Sequence, residues 1–320
     1  MRRRTRSAML LAVALTLVMA ACGGGDGAKG SGGLIAETAD LDGISVTVGS
    51  KDFTEQLVLG EMTVLAFEAA GATVDNKVDL GGTVVNREAL LAGEIDVYIE
   101  YNGTGWMVHL GQEDPSFDPE KLTEDVRALD LERHGIHWLG RSLFNDTYGF
   151  ATGPALTAAN GGAFDMQLMA DYLAENPEAV ICMESEFPSR PDGLILFEEA
   201  TGYKVPNSQQ RILDTNIIYN EIANGNCDFG EIFTTDGRIP ALDLTVVNDP
   251  GVMILYNVSM NVRDDLYRQA PEAFDAIADL LLSDLDDETM AELNRRVSVE
   301  GEEAREVARD YLVSRGLIEA

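Results

Sequence analysis

Histidine and cysteine are scarce in this 320-residue chain, three of each, and its 23 Lys and Arg face 55 Asp and Glu. Each shortage excludes a class of protein. At a formal net charge of −32 the surface gains no counterion-release energy from phosphates, so nucleic acid is excluded as a partner. Three Cys cannot make the dense disulfide framework of a small secreted scaffold. Of the three His, His134 and His137 lie three apart as a helical metal pair could, yet no carboxylate-His-His pattern accompanies them, and a solvated turn is the better reading. Nucleophile elbow, P-loop and G-x-G-x-x-G are absent, and Gly103-Thr104-Gly105 is too short to stand for one. No catalytic residue, metal or cofactor is therefore expected. What remains is 45% apolar and 24% charged, a globular composition long enough for about two domains.

The one long apolar run, Ala8 to Ala21, is short of the roughly 20 residues of a membrane-spanning helix. Arg2, Arg3, Arg4 and Arg6 precede it and Cys22 follows, the layout of an export signal over residues 1–21. Met19-Ala20-Ala21-Cys22 resembles a bacterial lipobox, which makes Cys22 the expected site of lipidation, and residues 22–43 are assigned as a Gly-rich tether. Removing residues 1–21 takes away four Arg and no acid, deepening the net charge to −36. Such a body is repelled by anionic lipid, so a covalent lipid would have to hold it at the membrane. In an oxidising compartment the remaining Cys182 and Cys227 are a candidate disulfide; two unrelated buried thiols are the alternative.

From Ile44 onward, strand and helix patterns alternate. Ile44, Val46 and Val48 repeat at period two; Val58, Met62, Leu65 and Ala69 then step by four, three and four behind a possible Thr54 cap, with Gly71 at the far end. A second strand is expected near Val78 to Leu80, a helix over Asn86 to Ala92 and a strand through Val97 and Ile99. This is a β-α-β-α-β order, which implies a mostly parallel sheet with ligand sites beyond the strand ends. The pattern restarts near Phe150 as a second α/β block, and Asp264 to Ala320 reads as charged amphipathic helices. Aromatics gather in the expected loops after strands: Tyr98 and Tyr101, Tyr148, Phe233 and Tyr256. Singly, each is more often core than ligand contact.

Six motifs, in order, change that balance: Gly49-Ser50-Lys51-Asp52-Phe53-Thr54-Glu55-Gln56, Leu80-Gly81-Gly82-Thr83, Tyr98 to Thr104, Phe144 to Tyr148, Glu186 to Gly193, and Thr234 to Ile239. Together they resemble the substrate-binding proteins of osmoprotectant ABC importers, which take glycine betaine, choline and carnitine. The resemblance runs from about Ile44 to Leu317. It implies an α/β, two-lobed periplasmic-binding-protein-like fold of type II, with the ligand cleft between lobes at about 44–145 plus 253–320 and 146–252. It further implies a cage for a trimethylammonium group at Tyr101, Tyr148, Phe233 and Tyr256, and a carboxylate site at Lys51, Thr104 and Arg190. Phe233 stands where the family usually has Tyr, and the Pro residues usual before the last tyrosine are missing from Val252 to Asn257. A quaternary ammonium has no N–H to donate, so π faces and dispersion suit it, while a carboxylate calls for charged donors. The expected partners are a small quaternary ammonium ligand (glycine betaine, proline betaine, choline or carnitine) and an ABC permease at the outer face of the cell membrane. An exported hydrolase or metal-binding lipoprotein on a similar scaffold, and an osmolyte receptor that does not transport, are the alternatives.

Overall fold

Short β-branched and aromatic runs bounded by Gly and Asp make ten strands, and in the computed structural model, which describes residues 32–320, they form two five-stranded sheets. The strands are β1 (Ser45–Gly49), β2 (Thr73–Lys77), β3 (Val97–Tyr101), β4 (Ile136–Leu139), β5 (Tyr148–Thr152), β6 (Ile181–Met183), β7 (Gln210–Ile212), β8 (Phe229–Phe233), β9 (Thr245–Val246) and β10 (Val258–Arg263). One sheet runs β2-β1-β3-β10-β4, the other β7-β6-β8-β5-β9. In each, four strands run the same way and one, entering by a crossing from the other half of the chain, lies antiparallel between two of them: β10 between β3 and β4, β5 between β8 and β9. The chain thus crosses between sheets twice, through residues 140–147 and 247–257. The crossings are tied side by side: the Tyr256 N–H donates to Asn145 Oδ1 at 2.6 Å and the Thr147 hydroxyl to the Ile254 carbonyl at 2.7 Å.

Helix Thr54–Ala69 carries apolar residues all round, and twelve of its sixteen residues are buried between β1 and helix Ala304–Ser314, as expected of a helix inside a core. Its start points toward the junction of the sheets. Thr54 is its first residue and makes no side-chain cap, contrary to the sequence reading. The second strand also lies elsewhere: Thr73–Lys77 pairs in register with β1, while Val78 to Leu80 follow it in a loop where Asp79 has φ +72°. The polar TVDNK run fits an edge strand exposed on both faces, a pattern that periodicity does not flag.

Residues 1–21 and Cys22 lie outside the described residues. The part of the proposed tether that is described does not behave as one: Gly33–Thr38 is a helix, Ile35 and Leu41 are fully buried, and the Leu34 and Ile35 amides donate to Gly316 and Leu317 at 3.0 Å. Apolar Leu34 to Ala36 docks on the C-terminal segment, so a flexible stretch can extend no further than Gly32.

Cys182 of β6 and Cys227, two residues before β8, are joined as a disulfide with Cα atoms 5.8 Å apart. Closing a loop of 45 residues removes about 4 kcal/mol of chain entropy from the unfolded state. A Cys182→Ser/Cys227→Ser variant is therefore expected to lose about that much in denaturant unfolding under non-reducing conditions; unchanged stability would show that the bridge contributes nothing.

Candidate functional site

Strand ends and crossings bring the six motifs to one place. Lys51 follows β1, Tyr101 ends β3, Thr104 sits in the helical turn after it, Tyr148 opens β5, Phe233 ends β8, and Tyr256 lies on the second crossing. Arg190 follows the 3-10 turn Phe187–Ser189. Tyr256 is not at the end of a strand, as its apolar surroundings suggested, because β10 begins only at Val258.

The four aromatics expected to form a cage meet, and a fifth ring, Phe53, joins them. Ring centroids stand 6.0 Å apart for Tyr101 and Tyr256, 5.3 Å for Tyr256 and Tyr148, 5.3 Å for Tyr148 and Phe233, 4.7 Å for Phe233 and Phe53, and 6.2 Å for Phe53 and Tyr101. The chain of contacts closes on itself. Tyr256 stands steeply across its two neighbours, at 67° and 80°. All five rings line one small cavity, together with Lys51, Thr83, Thr104 and Asp146. An outer chamber shares Lys51, Phe53, Thr83, Tyr148 and Phe233 with it and adds Asp52, Glu184, Glu186 and Asp214.

Both expected carboxylate-binding cations already have internal counter-charges. Lys51 Nζ lies 2.7 Å from Glu100 Oε1 and 5.0 Å from the Tyr101 ring centroid, with both ends of the ion pair buried. Burial raises the Glu100 carboxyl, but the Lys51 charge and the His109 hydrogen bond outweigh it and hold Glu100 well below the usual carboxylate range. Among the described residues Glu100 is the one acceptor on the Lys51 ammonium, which leaves two of its three donors for a ligand.

Arg190 departs further from expectation. It lies outside the lining of the cavity, and all five of its N–H donors are engaged: Nε and Nη2 with Asp192 at 2.8 and 2.7 Å, Nη1 with Thr83 at 2.9 Å and Glu186 at 3.2 Å, and Nη2 also with Thr104 at 3.1 Å. No donor is left for a ligand carboxylate. Thr83 and Thr104 belong to the half of the chain that carries β1 to β4, and Arg190 to the half that carries β5 to β9, so the guanidinium clamps one half to the other. Tyr256 supports it by donating its hydroxyl to Asp192 Oδ2 at 2.8 Å.

A second tie crosses behind the cage. Buried Glu55, at the start of helix Thr54–Ala69, accepts from Tyr101 Oη at 2.8 Å, Thr235 Oγ1 at 2.6 Å and Asn294 Nδ2 at 2.9 Å. Asp146 Oδ1 accepts from the Thr235 amide at 3.0 Å. Gly237 permits this close approach: a Cβ there would meet Arg295 Cα at 2.6 Å.

Sequence reasoning missed Phe53, Glu55, Glu100 and Asp146. The available signal for Phe53 was its place in a strand-to-helix loop within the opening motif; the three acids also lie within the motifs, but as 3 of 55 acidic residues nothing marked them as buried. His134 and His137 are not a metal pair or a solvated turn. His134 closes helix Pro119–His134 against Asp130 at 2.6 Å, His137 in β4 pairs with Asp264 at 2.9 Å, and no cluster of three or more metal-ligating side chains occurs among the described residues.

Two α/β halves joined by paired crossings, with a small aromatic cavity and a clamping arginine at their junction, define a two-lobed solute-binding protein. The comparisons narrow this to one family. Residues 44–314 match the substrate-binding domain of ABC-type glycine betaine transport systems, and the chain belongs to that family. It is 32% identical over 281 residues to a glycine betaine-binding protein of Escherichia coli K12, covering 85% of this chain and 90% of the relative. A glycine betaine-binding protein of Pseudomonas aeruginosa is also 32% identical, over 282 residues that cover 86% and 89% of the two chains. The solved apo structure of the E. coli protein superposes with a TM-score of 0.60 at 31% identity, over 85% of this chain and 99% of that one. The family is one of binding proteins rather than enzymes, and among the described residues no helix is long and apolar enough to cross a membrane.

Proposed function

We propose that this chain captures glycine betaine or a related quaternary ammonium solute (proline betaine, choline or carnitine) outside the cytoplasm and hands it to an ABC permease. The observation that carries the reading is the closed loop of five aromatic rings around one cavity. Such a wall attracts a cation that cannot donate hydrogen bonds and leaves none of its own polar groups unpaired. The spare donors of Lys51, with Thr104 and Thr83, are suited to a carboxylate at the far end of a betaine. Lobe 1 is taken as residues 44–145 plus 253–320 and lobe 2 as 146–252, a division supported by the membership of the two sheets. Closure of the lobes over the ligand brings Arg190 to Thr83 and Thr104.

Calorimetric titration with the four ligands tests the reading. One-site binding of glycine betaine is expected, and heats no larger than dilution for all four would reject it.

Anchoring is the outer part of the proposal: export by residues 1–21, then a lipid on Cys22. One acyl chain binds a bilayer only marginally, and acidic protein adds repulsion, so Cys22→Ala is expected to move the protein into the soluble fraction. Retention of that variant in washed membranes would contradict the anchor.

A further inference from the structure

Asp146 is the one carboxyl among the residues lining the aromatic cavity, and it is 2% exposed. Its Oδ1 takes the Thr235 amide; its Oδ2 is buried and has no hydrogen-bond donor among the described residues. Resting on the quaternary ammonium reading above, we propose that Asp146 is the counter-charge of the ligand's cationic head, and that the empty site holds in its place a proton which the cation displaces.

Two buried acids meet at Thr235, which donates its hydroxyl to Glu55 at 2.6 Å and its amide to Asp146 at 3.0 Å. Two carboxylates in one dry site cannot both be charged without a compensating cation, so one of them keeps a proton. The donors decide which. Glu55 receives three, from Tyr101, Thr235 and Asn294, and Asp146 receives one, so the charge rests on Glu55 and the proton on Asp146. Burial and the Glu55 charge accordingly push the Asp146 carboxyl well above the ordinary range.

The other polar groups around Asp146 do not substitute for a ligand cation. Tyr101 and Tyr219 are buried phenols raised well above their usual range; Arg238, beyond Tyr219, is paired with Asp236; and Lys51, the one amine in the lining, is paired with Glu100. When a quaternary ammonium enters the loop of rings, the Asp146 O–H bond breaks and its proton goes to solvent. The carboxylate left behind faces the cation. At the ring-lined end one positive charge enters as one leaves; the carboxylate that a betaine also brings lies at the Lys51 end of the cavity.

The sign of the pH dependence follows. Ligand lowers a pKa that is raised in the empty site, so binding releases a proton between the two values, and affinity rises with pH by at most about tenfold per unit across that window. Glycine betaine and choline share the head group, so both should show it.

Calorimetry of wild type in phosphate and in Tris, whose ionisation heats differ, reads the protons released. The expected result is a release approaching one proton for either ligand within pH 5–8, abolished in Asp146→Asn. Equal heats in the two buffers across that range, with binding intact, overturn the proposal while leaving the function standing; absence of binding by any quaternary ammonium rejects the function itself. Release undiminished in Asp146→Asn removes Asp146 from the role. Should that variant not fold, the carboxyl ¹³C shift of Asp146 in wild type, titrated with and without ligand, decides: an apparent pKa that falls on binding supports the proposal, and one that stays fixed overturns it.

Discussion

Arg190→Ala weakens glycine betaine and choline together, by about a hundredfold or more, and leaves their ratio within about threefold of wild type. The size comes from losing two charge-assisted hydrogen bonds across the lobes, to Thr83 and Thr104, about 1.5–3 kcal/mol each, while the fully buried Asp192, left with only the Tyr256 hydroxyl, adds a loss of thermal stability. The equality comes from geometry. All five donors of Arg190 point at protein groups, two of them at Thr83 and Thr104 across the lobes, so its loss removes the clamp and not a contact with either ligand. Arg190→Lys restores little, since three donors on a point charge cannot reproduce a planar fork that holds Asp192 with two bonds while reaching two threonines. Titration of both ligands against the variant, beside a thermal melt, checks this. A loss confined to glycine betaine would return Arg190 to the carboxylate-binding role that the family resemblance implied.

Removing one ring from the loop is the second large effect. Tyr101→Ala, Tyr148→Ala and Phe53→Ala are each expected to cost about 2 kcal/mol of binding, roughly thirtyfold, the size of a desolvated cation–π contact. Phe53 is the informative position because its stacking on Phe233 at 4.7 Å closes the loop. Phe53→Leu retains apolar area without the π face. Affinity close to wild type in Phe53→Leu would mean that the residue acts by packing alone; a loss as large as in the alanine variant assigns it to the cage.

The parts of the site that were legible in the sequence are those whose chemistry is local to a motif. Tyr101 and Phe233 close strands, Tyr148 opens one and Tyr256 stands on a crossing, so each sits at a strand end or junction that a neighbouring run of strand-forming residues marks in the sequence. What was not legible is pairing across long separations. Glu100 is 49 positions from Lys51 and Glu55 is 91 from Asp146, and nothing in an acidic chain distinguishes a carboxylate buried against one partner from its solvated neighbours. The engagement of Arg190 was hidden for a related reason: Asp192 is only two residues away, but whether a guanidinium is open or spent depends on the five acceptors that folding assembles around it. In the fold, alternation of strand and helix carried the architecture, while the exposed edge strand β2 gave no apolar signal and was sought three to five residues too late.

Recognition of a quaternary ammonium by the ring-lined cavity is the central claim, and a methyl series tests it most directly. Glycine betaine, N,N-dimethylglycine, sarcosine and glycine share a carboxylate and differ in how many N–H bonds the nitrogen carries; the rings pair none of them, and Asp146, the one carboxyl in the lining, cannot pair three. Titrated calorimetrically against the wild-type protein, they are predicted to lose affinity with each methyl removed, until glycine gives no measurable binding. Glycine or sarcosine binding as tightly as glycine betaine would contradict the account, because a site that tolerates unpaired ammonium N–H groups is not built from these rings.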